Sequence, residues 1–261
     1  MFRWFARDEV EKNIISPGGN IRCVFTLKSG NVFYSIYKNN KLVVKPSRLG
    51  FDLAGEEPLC RNFKLIRTQN KVHKETVELL WGEDRFVENN YIESAFYLAE
   101  KKSSRRIMTI RFRVFDTSVA FRYEIPPQPK FRRLAIKDEL TEFNIDLNTT
   151  AWKIPAYQPD RYEYNYEKSY VYDLTSAVHT PLTLHTQSGF YLAIHEAALY
   201  DYGSMTLKLV NDTLKSDITP LSDGTKAHVD LPFQTPWRLI MLADSAIELT
   251  TNRTMYVLND P

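Results

Sequence analysis

Arg106–Pro126 reads RIMTIRFRVFDTSVAFRYEIP, and the class of fold turns on it. Ile110, Phe112 and Val114 fall on one face, while Thr109, Arg111 and Arg113 fall on the other. Successive side chains of a strand point to opposite faces, so this period of two predicts a half-buried strand. Asp116-Thr117 then turns the chain, and Val119, Phe121, Tyr123 and Ile125 repeat the pattern on the way back. The stretch is read as two antiparallel strands of a sheet with one wet face.

The same signal extends outward. Ile21 to Leu53 reads as IRCVFTL, a KSGN turn, VFYSIYK, an NNK turn and LVVKPSRLGFDL, with Gly and Asn punctuating three strands. ETVELLW and YIESAFYLAE continue the meander. No helix longer than two turns shows 3.6-residue periodicity, no repeat of 20–50 residues is present, and no low-complexity linker divides the chain. The expectation is an all-β fold, a large antiparallel β-sandwich, with residues 1–261 forming a single domain. The basic clusters Lys101-Lys102 with Arg105-Arg106, and Lys130 with Arg132-Arg133, fall at turns and are read as solvated hairpin tips.

Composition agrees and removes several functions. With 43% hydrophobic and 13% aromatic residues the chain can bury a sizeable core. Lys and Arg number 34 against 32 Asp and Glu, so there is no global field to attract nucleic acid. Cys23 and Cys60 are too far apart in sequence for a redox pair or a zinc knuckle, and the sequence leaves open whether they bridge. MFRWFARDEV lacks the apolar core of a signal peptide, and no later run is apolar enough to span a bilayer. N-x-[ST] tripeptides at Asn148, Asn211 and Asn252 carry meaning only in a eukaryotic secretory setting.

Two segments carry chemistry. From Asn148 to Asp173 the chain reads NTTAWKIPAYQPDRYEYNYEKSYVYD, placing Trp152, Tyr157, Tyr162, Tyr164, Tyr166, Tyr170 and Tyr172 among prolines and charges. Rings with polar tips suit a pyranose, which has a weakly apolar C–H face and a rim of hydroxyls; the same rings also staple long loops to sheets. The second segment, Phe190–Gly203, is FYLAIHEAALYDYG. A zinc-protease helix needs a second His four residues after the first, and that position is Leu199. The segment is therefore read as a strand, with His195 and Glu196 on opposite faces.

Several stretches, taken in order, resemble the amino-terminal domain of glycoside hydrolase family 97: PSRLGFDL (Pro46–Leu53), WGEDRFVENNY (Trp81–Tyr91), FRVFDTSVAFRYEIP (Phe112–Pro126), AWKIPAY (Ala151–Tyr157), IHEAALYDY (Ile194–Tyr202) and the chain from Thr235 onward. The resemblance covers nearly the whole chain and implies a β-supersandwich of galactose mutarotase-like architecture. It also implies an exported, periplasmic bacterial α-glucosidase or α-galactosidase whose acid and base lie on a following β/α barrel, so that no catalytic residue is expected in this chain.

The expected partners are that barrel and an α-glucoside or α-galactoside oligosaccharide. By the same resemblance Glu196 of HEAAL is expected to be a calcium ligand shared with the barrel, bound weakly or not at all by the chain alone. Asp201 could belong to the same rim, and a split site implies apolar, aromatic surface around Glu196. His195, Trp152 and Tyr157 are the candidate sugar contacts, although a packed His195 suits the alternation equally well. Two other readings stand beside this one: a self-sufficient sugar-binding module, and an aldose mutarotase using His179, His185 and Glu196 as acid and base.

Overall fold

The computed structural model describes residues 9–80, 82–101, 105–128, 130–158 and 163–259. Trp81, Lys102 and Tyr162, singled out above, lie outside them, as do residues 1–8 of the amino-terminal stretch. The chain is all-β and every strand pairing is antiparallel.

The strands in chain order are β1 (Glu9–Ile15), β2 (Ile21–Lys28), β3 (Asn31–Lys38), β4 (Lys41–Leu49), β5 (Phe51–Leu53), β6 (Phe63–Glu78), β7 (Phe86–Glu100), β8 (Ile107–Val114), β9 (Ser118–Ile125) and β10 (Arg133–Glu139). They continue with β11 (Glu142–Phe143), β12 (Thr150–Lys153), β13 (Glu167–Tyr170), β14 (Leu182–His185), β15 (Tyr191–Ala197), β16 (Met205–Val210), β17 (Thr213–Ile218), β18 (Ala227–Asp230), β19 (Phe233–Gln234) and β20 (Trp237–Ala243). Two single-turn helices close the described chain, α1 (Ala246–Thr250) and α2 (Thr254–Leu258). Among the described residues no helix is long and apolar enough to cross a membrane.

One layer is a large sheet in the order β13-β12-β14-β15-β20-β9-β8-β7-β6, with β19 added to β9. The meander β1-β2-β3-β4 and two three-stranded sheets, β18-β10-β5 and β11-β17-β16, pack against it. The Arg106–Pro126 stretch is β8 and β9 at the centre of the large sheet, with Ile110, Phe112, Val114, Val119, Phe121 and Tyr123 fully buried. Phe25 of β2 stacks on Phe96 of β7 at 3.9 Å, and Tyr34 of β3 packs on Phe121 at 4.9 Å, tying the layers together. Such aromatic contacts add to the area that they bury.

Three expectations change. LVVKPSRLGFDL breaks at Gly50 into β4 and β5, which join different sheets. Gly50 has φ +145, and a Cβ there would stand 2.5 Å from that of Cys60, so only glycine makes the corner. The aromatic excursion is strand at both ends, because β12 and β13 pair from Thr150↔Tyr170 to Lys153↔Glu167. Arg106 is not a solvated tip: it is buried against Glu100, with Nη2–Oε1 at 2.6 Å, and donates to the carbonyls of Glu57 and Pro58. Arg105, Arg132 and Arg133 are exposed, as expected. Cys23 and Cys60 are buried free thiols.

Candidate functional site

On β15 the residues Leu192, Ile194 and Glu196 face the main core, while Tyr191, Ala193, His195 and Ala197 face the other side of the sheet, where Ala193 and Ala197 join a second buried cluster with Trp237, Leu239 and Leu258. The core has a polar end at Glu196, whose cross-strand partner on β20 is Arg238. Nη1 of Arg238 donates to Oε2 of Glu196 at 2.7 Å. Nε and Nη2 of the same guanidinium hold both oxygens of Glu139, on β10, at 2.8 and 2.6 Å. Thr141 and Tyr202 donate to Glu139 at 2.8 and 3.1 Å, and the Met205 amide donates to Oε1 of Glu196 at 2.8 Å.

Two carboxylates and one guanidinium are thus buried together, with hydrogen bonds compensating for the lost water. Burial pushes the Glu139 carboxyl up, but the charge of Arg238 and the bonds from Arg238, Thr141 and Tyr202 outweigh it and hold Glu139 below the usual carboxylate range. Burial pushes Arg238 down, and its two carboxylates more than restore it.

Within this chain each oxygen of Glu196 accepts one bond, Oε1 from the Met205 amide and Oε2 from Arg238, at the buried end of the sandwich. A carboxylate oxygen carries two lone pairs, so each keeps one acceptor site. Among the described residues no three His, Cys, Asp or Glu side chains cluster as a metal site.

The outward neighbour has a different setting. Nδ1 of His195 lies 3.0 Å from Oγ1 of Thr180, and burial pulls the His195 imidazole below its ordinary pKa. Thr180 lines a cavity of about 410 Å³ together with Ile154, Glu163, Tyr164, Tyr166, His179 and Pro181. His179 is likewise pulled down by burial, so that a neutral imidazole is favoured at its wall. Phenol rings, a carboxylate and the His179 imidazole converge here, the equipment for stacking on a sugar face and bonding its hydroxyls.

The other expected contacts do not gather at this cavity. Trp152, on β12, is half-buried with the Lys168 ammonium 5.7 Å above its ring. The Tyr157 hydroxyl is directed at β16 and β17, 3.1 Å from Oδ2 of Asp217 and accepting from Thr206 at 3.1 Å. His185 is stacked on Tyr191 at 4.2 Å, on the outward side, while Glu196 faces inward, so the mutarotase acid–base set is not assembled. Sequence reasoning missed Glu163 and Thr180; the one available signal was the position of Glu163 between tyrosines in YEYNY. Of the rim beyond Glu196, Leu199 and Tyr200 are exposed, and Asp201 is an exposed turn residue with φ +48.

Residues 14–261 match the family described as "Glycosyl-hydrolase 97 N-terminal". A glycoside hydrolase family 97 enzyme from Pseudoalteromonas sp. strain K8, solved with panose and with acarbose, superposes with a TM-score of 0.92 at 34% identity, covering 96% of this chain and 38% of that one. A retaining alpha-galactosidase from Bacteroides thetaiotaomicron is 22% identical over 281 residues, covering 95% of this chain and 41% of the relative. A beta-arabinopyranosidase structure shares the fold, with a TM-score of 0.78 at 20% identity over 89% of this chain and 40% of that one. The chain spans about two fifths of the length of the relatives that it matches.

Proposed function

The chain belongs to the glycosyl-hydrolase 97 N-terminal family, and from that premise we propose that it is the non-catalytic domain of an α-glycosidase, packing on a catalytic barrel and lending carbohydrate contacts to its active site. The cavity between Tyr164, Tyr166, Glu163 and His179, backed by His195 through Thr180, carries this reading. Its rings would stack on a sugar, and the His179 imidazole would exchange hydrogen bonds with hydroxyls. Glu163 would accept from a hydroxyl pair.

No acid–base pair of this chain is assigned to bond cleavage, which needs two carboxyl groups flanking the glycosidic oxygen. The family resemblance also supports export to the periplasm and a calcium ion in the whole enzyme. Glu196 would be one ligand of that ion and the barrel would supply the others.

The test uses the full polypeptide carrying this chain, with panose as substrate. Tyr166→Ala and His179→Ala should raise KM about tenfold with kcat within about twofold, the pattern of lost ground-state binding. Unchanged KM in both variants would overturn the sugar-contact role. A sugar-binding module acting alone predicts millimolar or tighter binding of maltose or galactose oligosaccharides by residues 1–261.

A further inference from the structure

Independently of that reading, we propose that the outward face of β8 and β9 carries an oxyanion site, at which Arg113 and Arg122 grip the carboxylate or phosphate of a ligand. Three arginines, Arg111, Arg113 and Arg122, share this face with two carboxylates, Glu93 of β7 and Glu124 of β9. Arg111 takes the larger part of that negative charge. Its Nε and Nη2 hold both oxygens of Glu124 at 2.7 and 2.9 Å, and its Nη1 holds Oε1 of Glu93 at 2.7 Å. Arg113 and Arg122 reach the same carboxylates through Nε alone, at 2.9 and 3.1 Å. Among the described residues, the four terminal nitrogens of these two side chains donate to no acceptor.

The face is one anion short, and its electrostatics say so. Bonds from Arg111 to Glu124 raise the Arg111 guanidinium above its ordinary pKa against the pull of burial, with Glu93 adding to the rise. Burial holds Arg122 below its own, and the neighbouring charges of Arg113 and Arg111 join that pull, so that Glu124 does not restore it. Lys71, which lies opposite Glu93 where β6 and β7 pair, adds an exposed ammonium. A further negative group would relieve the surplus.

The geometry suits a forked acceptor. The Cζ atoms of Arg113 and Arg122 stand 4.6 and 4.5 Å from the centre of the Trp237 indole, and so no more than about 9 Å apart. Arg113 also lies 4.7 Å over the Tyr91 ring. With Nε pinned and the ring stacked, each guanidinium is oriented before a ligand arrives. The two side chains keep only 21% and 19% of their surface exposed, so a bound anion meets donors already largely stripped of water, where charge-assisted bonds are strongest. A carboxylate or a phosphate can accept from two such forks at once. None of these residues lines the cavity beside Thr180.

The test titrates the full polypeptide carrying this chain with inorganic phosphate and with glucuronate, using glucose as the neutral control, by calorimetry at constant ionic strength. Saturable binding with a dissociation constant of about 1 mM is expected for at least one of the two anions, tightening as salt is lowered. Phosphate bound alone assigns the site to the free ion, and glucuronate bound at least about tenfold more tightly assigns it to an acidic sugar; both outcomes support the site. Arg113→Gln and Arg122→Gln should each weaken binding by about tenfold or more.

Because either change also loosens packing on Trp237, Glu93→Gln supplies a second reading. It removes a competing carboxylate and should tighten anion binding by about threefold or more, a gain that a merely structural role would not produce. No saturable binding up to about 20 mM of either anion would overturn the proposal. So would binding that both arginine variants leave unchanged, binding that Glu93→Gln weakens, or binding that Tyr166→Ala abolishes, since the last would place the anion in the sugar cavity.

Discussion

His195 and Glu196, adjacent in sequence, are engaged on opposite sides of one sheet: the imidazole meets Thr180 on the outer face at 3.0 Å, and the carboxylate meets Arg238 inside at 2.7 Å. The outward group backs Thr180 at the wall of the cavity, and the inward one belongs with the network that holds loop 198–204. The same alternation that builds the strand separates their roles.

Replacing Arg238 by Met should destabilise the domain by about 3–5 kcal/mol, because two carboxylates would remain buried without their cation. Replacing Arg238, Glu139 and Glu196 together by apolar residues of similar volume should cost less than the single change. Urea unfolding with a two-state fit measures both, and a single-variant loss below about 1 kcal/mol would contradict the network's burial.

Acid should weaken the domain through Glu139. Its folded pKa lies below the ordinary 4.5, so its contribution is complete above that value and is lost as pH falls through the folded one. Melting temperatures recorded between pH 7 and 3 should fall less steeply on the acid side for Glu139→Gln, from a lower starting point, than for the parent chain.

Glu196→Gln tests the calcium role directly. It should cost roughly 1–3 kcal/mol of stability through the weakened contact with Arg238. Calcium affinity of the full polypeptide, measured by titration calorimetry, should fall by about tenfold or more; a value within about threefold of the parent would remove Glu196 from the ligand set.

Gly50→Ala should destabilise by about 3 kcal/mol, combining a backbone conformation closed to alanine with a methyl driven into Cys60. Pairing it with Cys60→Gly should recover only the share of the clash owed to the Cys60 side chain, because the Cys60 Cα and the Leu59 carbonyl would still stand 2.7 and 2.9 Å from the methyl. Thermal unfolding of the single and double variants separates them.

What the sequence disclosed and what it hid follow from the range of each interaction. The β8–β9 hairpin was legible because one buried face imposes period two on a contiguous stretch, and its polar face proved to be an ion-pair ladder in which Arg111 and Arg113 share Glu93. Most of β6 was illegible: Phe63–Glu78 is largely exposed, so no alternation marks it, and its place is set by backbone pairing to β7. The facing directions of His195 and Glu196 were readable only relative to each other. Which one turned inward depended on Arg238, 42 positions away and opposite Glu196 only once β15 and β20 pair. Glu163 and Thr180 meet through non-periodic connections, which leave no pattern to read.

Among the described residues β6 ends the large sheet, so one side of its backbone meets no neighbouring strand there. A free margin sixteen residues long is a template on which another polypeptide can crystallise strand by strand, the first step toward a fibril. Lys64, Arg67, Lys71 and Lys74 are spaced along it, and their mutual repulsion keeps copies of the molecule apart. Resistance to edge-to-edge association would therefore rest on a handful of cations, none of which lines the cavity beside Thr180.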